Sequence, residues 1–285
     1  MSVLMQVLVS SVLLAAVYFV LSLGLNIIFG VLDIVNFAHG ALIILGSYAT
    51  FFLNQATGLS PWLLIFVDMI LVGALGAILY AGYLRFTVES PLVRMFALIG
   101  FSSVVVSAIL AIAGSDFRTV KIDYGTVNIL GLPVRVSQII AFAIALVLGA
   151  VTLVLLNSTK TGKAVKAVVD DRVAVRLCGI NDRRLSLLAF TVGAALAGAA
   201  GGVISTYVTF GPDSGLTFAI IAFAIVILGG LGDLVGGAIA SLVVALVLTS
   251  VTVYWSSALI NTALFLLVLL VLLVRPRGVL GRGRI

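Results

Sequence analysis

Residues 30–48, GVLDIVNFAHGALIILGSY, hold most of the side chains in this apolar chain that could do chemistry. They include Asp33, Asn36 and the single histidine, His39. An Asp costs roughly 2.5–3.5 kcal/mol at the centre of a membrane-spanning helix, so such residues usually face a bundle interior or a watery cavity. Glycines such as Gly40 allow a broken helix at membrane depth. The stretch therefore indicates either an interrupted membrane segment that lines a pathway or a loop at the membrane surface.

A second polar break lies late in the chain, in ILGGLGDLVGGAIAS, where five glycines surround Asp233. Paired breaks of this kind are typical of the discontinuous helices in transporters built from repeats. The two stretches are too dissimilar in sequence to predict a repeat. We expect Asp33, Asn36, His39, Gly40 and Asp233 to line a substrate pathway.

No pattern in the chain predicts an enzyme. The single His and the single Cys178 lie far apart, so they form no catalytic pair and no metal site. The nearest approach to a phosphate-binding loop is Thr161-Gly162-Lys163-Ala164, which lacks the preceding Gly and the following Ser or Thr. We expect no cofactor and no bound metal, and if transport is active its energy comes from elsewhere.

The composition identifies the class of protein. Of the 285 residues 63% are hydrophobic and 9% are charged, whereas a soluble domain has about 25% charged residues. A helix needs about 20 apolar residues to cross the membrane. We predict an all-α polytopic membrane protein, one domain over residues 1–285, with eight or nine hydrophobic segments, of which the short ones at 39–54 and 217–231 are half-helices or re-entrant. The segments are 6–30, 39–54, 61–84, 92–113, 137–157, 187–209, 217–231, 235–254 and 257–274.

The basic residues predict the orientation, because cytoplasmic loops carry an excess of Lys and Arg. Residues 158–186 and the C-terminal tail together hold 11 of the 16 basic residues. Both regions, and hence the C-terminus, are expected in the cytoplasm, while the side of the N-terminus stays open. The net charge of +6 thus follows membrane topology, and no nucleic-acid partner is predicted. These basic residues are Lys160, Lys163, Lys166, Arg172, Arg176, Arg183, Arg184, Arg275, Arg277, Arg282 and Arg284.

Three further patterns predict local structure. In residues 120–136, VKIDYGTVNILGLPVRV, alternating apolar residues around turn residues favour a small extracytoplasmic hairpin. Small residues recur every fourth position from Gly193 to Gly202, which lets neighbouring helices approach closely. Asp68 lies about eight residues into its segment, so either it is a buried hydrogen-bond partner or the segment begins later.

The cytoplasmic residues 158–186 favour two short helices, TKTGKAVKAVVDD and RVAVRLC. Asp170 or Asp171 can cap the second helix, and Gly179 suits the left-handed position that ends it. Isolated helices of this length are marginal in water. The segment is therefore either ordered by a partner or a charged loop on the lipid surface.

The chain resembles the permease subunits of ABC importers for branched-chain amino acids, the hydrophobic amino acid uptake group. Three blocks carry the resemblance: FGVLDIVNFAHGALIILGSY, TKTGKAVKAVVDDRVAVRLCGIND, and ILGGLGDLVGGAIAS with the RPRGVLGR tail. Two positions depart from the family pattern. Ala41 stands where an acidic residue is frequent, and Asp33 stands where a small or neutral residue is usual.

The resemblance implies an ATP-driven importer in a bacterial inner membrane. The expected partners are a second related permease, two cytoplasmic ATPase subunits, an extracytoplasmic binding protein and lipid. The cargo would be branched-chain or other hydrophobic amino acids, with urea, short amides or aromatic acids as the alternative. Less expected are an ion-coupled secondary transporter, which would use the buried Asp and His residues, and a non-transporting scaffold.

The same resemblance identifies the segment 160–180 as the loop that couples the permease to the ATPase. Its apolar face, formed by Ala164, Val165 and Val168, is expected to insert into a groove on the ATPase, with basic residues at the rim. The coupling residues predicted are Gly162, Lys163, Ala164, Val165, Val168, Asp171, Arg172, Arg176 and Gly179.

Overall fold

The structure is a computed structural model that describes residues 3–87, 90–122, 124–129 and 131–274. The RPRGVLGR tail and its arginines lie outside these ranges. The described elements are α1 (Val3–Leu32), α2 (His39–Thr57), α3 (Pro61–Gly82), α4 (Pro91–Ala113), β1 (Thr126–Ile129), β2 (Leu132–Arg135), α5 (Val136–Ser158), α6 (Lys160–Asp170), α7 (Arg172–Leu177), α8 (Asp182–Tyr207), α9 (Ser214–Gly229), α10 (Leu234–Tyr254) and α11 (Ile260–Val274), with short 3₁₀ turns before α4 and α11.

In the described residues, seven helices are long and apolar enough to cross a membrane: α1, α3, α4, α5, α8, α10 and α11. The chain is thus an all-α polytopic membrane protein, as predicted. The two segments predicted to be short correspond to α2 and α9, which are not among the seven; α9 has 16 residues. The predicted number of eight or nine segments stays a prediction.

The hairpin predicted between α4 and α5 is confirmed. Strands β1 and β2 pair antiparallel, with Thr126 opposite Arg135 and Ile129 opposite Leu132. Just before it, the N–H of Val120 donates to the carbonyl of Ser205, 3.0 Å away, at the end of α8. We call this end of the bundle the hairpin end.

Helix α8 is the centre of the bundle, and its small residues explain why. A Cβ on Gly193 would lie 2.6 Å from the Gly24 carbonyl of α1, and one on Gly201 would lie 1.9 Å from the Ile43 carbonyl of α2. A Cβ on Gly198 would lie 2.7 Å from the Asp68 carbonyl of α3. The small-residue pattern therefore brings three helices to backbone contact with α8, as predicted.

The opposite end of the bundle is the basic end, where α6 and α7 lie. Here the Arg172 guanidinium donates to the Val31 carbonyl in the last turn of α1. A Cβ on Gly30 would lie 3.2 Å from a methyl of Val169 and 3.5 Å from the Cα of Gly232. Because α1 ends here, its first residues lie at the hairpin end.

Helices α1–α4 and α8–α11 repeat the same arrangement with inverted direction. In each set a long helix is followed by a break, a helix packed inside the bundle, and two further helices. Helix α3 packs on α8 as α10 packs on α1, and α2 packs on α8 as α9 packs on α1. The structure therefore contains an inverted pair of the kind found in transporters.

The inverted arrangement shows which interruptions of the helices occupy equivalent positions in the two halves. The break at residues 33–38, before α2, corresponds to the break at 208–213, before α9. The Asp33 and Asp233 stretches, for which the sequence predicted no repeat, do not correspond, since Asp233 lies in the turn between α9 and α10. Gly30 and Gly232 of the two stretches lie against each other at the basic end.

Candidate functional site

The break before α2 starts at Asp33, which ends α1. Asp33 is the one non-glycine residue in the described chain with a positive φ, 54°, and its N–H donates to the Phe29 carbonyl over 2.8 Å. This left-handed residue is a helix stop. Its side chain is exposed near the basic end, away from the middle of the bundle.

Asn36 and His39, both fully buried, hold the rest of this break. The Asn36 side-chain oxygen accepts from the Ala38 N–H at 3.1 Å, and the His39 N–H donates to the Asn36 carbonyl at 3.1 Å. His39 Nε2 donates to the Leu21 carbonyl of α1 at 2.8 Å. These bonds attach the start of α2 to the middle of α1.

The starts of α2 and α9 meet at two glycines. A Cβ on Gly40 would lie 2.0 Å from the Gly215 carbonyl and 3.0 Å from the Ala219 Cβ. No larger residue fits at position 40 without moving α9. Because both helices begin here, the positive ends of two helix dipoles lie side by side.

Beside this contact lies a cavity of about 290 Å³, which we call the half-helix cavity. It is bounded by the starts of α2 and α9 and by the middle of α4. Of the five predicted pathway residues, only Gly40 is among those that line it. The lining residues are Phe37, Gly40, Ala41, Ser102, Val106, Pro212, Asp213, Gly215, Leu216 and Ala219.

Asp213 is the charged group at this cavity, and the sequence analysis missed it. It occupies the N-cap position of α9 but its carboxylate accepts no capping hydrogen bond, and its side chain is exposed. The signal was present in Gly211-Pro212-Asp213-Ser214, since Asp after a Gly-Pro break is a frequent helix start.

Asp233 has a structural role at the basic end. Its carboxylate caps α10 by accepting from the N–H groups of Val235 and Gly236, both at 2.9 Å. The Asn26 side chain of α1 holds the same turn, donating to the Asp233 carbonyl at 2.9 Å and accepting from the Gly232 N–H at 2.8 Å. Asp233 therefore lies far from the half-helix cavity.

Asp68 is a buried hydrogen-bond partner, which answers the question its position in the sequence left open. It is fully buried and accepts a short hydrogen bond from the Thr50 hydroxyl of α2. A Cβ on Gly202 would lie 2.6 Å from its Oδ2. Asp68 thus links α2, α3 and α8 near the hairpin end.

The structure corrects the predicted free face of α6. Val165 is 8% exposed and Val168 is 1% exposed, because this face packs on the chain's own bundle. A Cβ on Gly162 would lie 2.4 Å from the Leu155 carbonyl, so α6 folds closely against the end of α5. The prediction that Val165 and Val168 are free to enter a partner's groove was wrong, and Ala164 is only partly exposed.

The local structure predicted for this segment is confirmed. Asp171 caps α7 by accepting from the N–H groups of Val173 and Ala174, at 2.8 and 3.0 Å. Gly179, at φ 76°, ends α7, and the Ile180 N–H returns to the Val175 carbonyl at 3.2 Å. This is a Schellman motif.

Two of the exposed apolar side chains at the basic end belong to α7. Val173 is 65% exposed and Leu177 is 84% exposed, one helical turn apart. Three basic residues of this segment are engaged within the chain: Arg172 donates to the Val31 carbonyl, the Arg176 Nε to the Asp182 carboxylate at 2.9 Å, and the Lys166 Nζ to the Asn157 side-chain oxygen. Lys163 and Lys166 stay exposed.

A larger cavity of about 480 Å³ lies at the hairpin end. It contains two cationic side chains, Lys121 and Arg135, beside Thr206 and Tyr207 of α8. The hairpin forms one wall of this cavity, which we call the basin. The basin thus lies at the hairpin end, whereas the half-helix cavity lies beside the middle of α4.

Comparison with known proteins identifies the family. Residues 7–274 match the family model described as the permease component of the branched-chain amino acid transport system. The chain belongs to this family. It is therefore a permease, a transport subunit and not an enzyme.

Curated relatives cover nearly the whole permease. The high-affinity branched-chain amino acid transport system permease protein LivH of Salmonella typhimurium is 26% identical, over 99% of this chain and 96% of its own length. LivH of Escherichia coli K12 is 25% identical over the same shares, and LivM of that strain is 28% identical over 77% of this chain and 58% of its own. No solved structure matches significantly.

Proposed function

We propose that this permease is one half of the membrane pore of an ATP-driven importer for branched-chain or other hydrophobic amino acids. The single observation that carries the proposal is the family match over residues 7–274. Relatives of two kinds, LivH and LivM, favour a pore made with a second, related permease.

The basic end is proposed to face the cytoplasm of a bacterial cell with its inner membrane. Seven basic residues lie between positions 158 and 186, and this excess sets topology. The N-terminus then lies outside, because α1 begins at the hairpin end. The hairpin end, with its basin, would receive substrate from a binding protein.

The ATPase is proposed to bind α7 rather than the apolar face of α6. Val173 and Leu177 are free to enter a groove on the ATPase, whereas Val165 and Val168 already pack within the permease. The remaining coupling residues, Gly162, Asp171 and Gly179, set the position of α7. A buried apolar anchor mainly determines how long a complex lasts.

The test of import is uptake of leucine into proteoliposomes that hold the permease with its partner permease and ATPases. We expect uptake only when ATP is present on the side of the membrane where the ATPase lies and the binding protein is present on the opposite side. Uptake by this chain alone, driven by a proton gradient, would contradict the proposal and favour a secondary transporter.

The test of coupling is recovery of the ATPase with permease variants purified from membranes. Leu177→Asp should release the ATPase, because it places a charge in an apolar contact. Leu59→Asp is the matched control, since Leu59 is 49% exposed in the turn between α2 and α3, at the other end. Normal recovery with Leu177→Asp would show that α7 is not the contact.

A further inference from the structure

The half-helix cavity lies at the depth where a transported molecule must pass. Its α4 residues, Ser102 and Val106, are in the middle of a helix that spans Pro91–Ala113. Its other walls come from two interrupted segments. Non-helical backbone at membrane depth is tolerated where it is buried in protein or lines a water-filled cavity.

Asp213 gives the cavity an acceptor for a cation. An N-cap Asp normally accepts from the N–H groups of its own helix, but Asp213 makes no such bond. Nor does its carboxylate have an ion-pair or hydrogen-bond partner elsewhere in the described residues. Because its side chain is exposed, the carboxylate is accessible to a cationic ligand, and an ammonium group supplies both charge and hydrogen-bond donors.

The starts of α2 and α9 give donors for an anion. Gly40, Ala41 and Gly215 line the cavity, and within the described chain their backbone N–H groups have no acceptor. The first N–H groups of a helix lack partners within the helix, and two helix starts together favour negative charge. The side-chain Nδ2 of Asn36, which precedes the lining residue Phe37, is also buried without a partner in the described part, although Asn36 itself does not line the cavity.

The rest of the wall is apolar. Phe37 and Leu216 are 39% and 71% exposed, and Val106 and Ala219 complete this side. The volume of about 290 Å³ is near the lower end of the roughly 300–1,000 Å³ of small-molecule sites. It suits a compact ligand with a short apolar group.

We propose that the half-helix cavity is a binding station for a zwitterionic amino acid on its way through the membrane. Asp213 binds the α-ammonium group, the free N–H groups at the starts of α2 and α9 bind the α-carboxylate, and Phe37 and Leu216 contact the apolar side chain. This inference rests on the proposed function and assigns the substrate contacts within it. It favours an amino acid over urea, which has neither charge.

The test is labelling of a Ser102→Cys variant by N-ethylmaleimide in the complete transport complex, read at position 102 by mass spectrometry. A Ser256→Cys variant, exposed in the turn after α10 and outside the cavity, serves as the reference. Saturating leucine should slow labelling at position 102 several-fold and leave labelling at position 256 unchanged. Isopentylamine and 4-methylpentanoate, which each lack one charged group of leucine, should protect less.

A second variant assigns the ammonium contact. Adding Asp213→Asn should abolish the advantage of leucine over 4-methylpentanoate and lower leucine uptake about tenfold or more, since hydrogen bonds to charged groups contribute about 1.5–3 kcal/mol. Asp116→Asn is the control. Its side chain is 82% exposed and lies outside the cavity, so uptake should be retained.

The outcomes separate the two proposals. If the wild-type complex takes up leucine but leucine does not change labelling at position 102, the cavity assignment is overturned while the importer proposal stands. If Asp213→Asn behaves like the wild type, the ammonium contact is overturned. A wild-type complex without ATP-dependent leucine uptake would overturn the proposed function and this inference with it.

Discussion

The two breaks before α2 and α9 occupy equivalent places in the inverted halves but are held by different interactions. The first is fixed by buried side chains, Asn36 and His39, which bind the backbone of the break and of α1. The second is fixed mostly by backbone, through a two-way bridge between Arg118 and Phe210 with N···O distances of 2.8 and 2.9 Å, and the Ser214 hydroxyl accepts from the Gly211 N–H at 2.9 Å. Asp213 is left free there.

The difference shows that the polar residues most visible in the sequence need not be those that meet a ligand. At the first break Asn36 and His39 each use one side-chain atom, Oδ1 and Nε2, to hold the backbone, and burial removes both side chains from solvent. At the second break the backbone holds the fold, so a carboxylate is available for chemistry.

The largest effect is expected where the two breaks meet. Gly40→Leu should prevent stable assembly, because a Cβ at this position would lie 2.0 Å from the Gly215 carbonyl and backbone cannot yield as a side chain can. Recovery of folded permease after detergent extraction measures this. Gly100→Leu is the control, since no atom lies within 4 Å of a Cβ built there, and it should be recovered normally.

A smaller effect should distinguish the two breaks directly. His39→Ala removes the bond to Leu21 and leaves a buried cavity, so we expect a loss of about 1–3 kcal/mol in the free energy of unfolding. Asp213→Asn should leave stability nearly unchanged and reduce uptake instead. The melting temperature of each purified variant, measured beside leucine uptake, provides the comparison.

The opposite result would assign His39 to the substrate pathway and Asp213 to the stability of the fold. If His39→Ala keeps the melting temperature of the wild type but loses uptake, His39 belongs to the pathway as the sequence suggested. Asn36→Ala offers an independent check at the same break, because its oxygen binds the Ala38 N–H.

The smallest effect concerns Asp233, which the sequence placed with the pathway. As the cap of α10 it should contribute about 1 kcal/mol, so Asp233→Ala should lower the melting temperature slightly. Asp233→Asn, which keeps a capping oxygen, should restore it. Uptake lost in both variants, at an unchanged melting temperature, would return Asp233 to the pathway.

Local features of the coupling segment could be predicted from sequence, whereas its free surface could not. Asp171 and Gly179 act within a few residues of themselves, so their types and spacing are sufficient to predict a cap and a helix end. The apolar face of α6 could also be predicted from sequence, but the pattern does not show whether this face packs on the same chain or on a partner. In the structure the permease's own bundle covers Val165 and Val168, and the exposed pair lies on α7.

The sequence by itself determined that this is a helical membrane protein with interrupted segments, because apolar length, charge and helix-breaking residues act locally, while its resemblance to known permeases gave the class. Only the tertiary structure decided that residues 33–38 correspond to residues 208–213, and that Asp213 rather than His39 reaches a cavity. The reason is that such pairings depend on contacts between residues far apart in the chain. The close approach of Gly40 to Gly215 places two helix starts and one free carboxylate around the same cavity, and no local pattern records it.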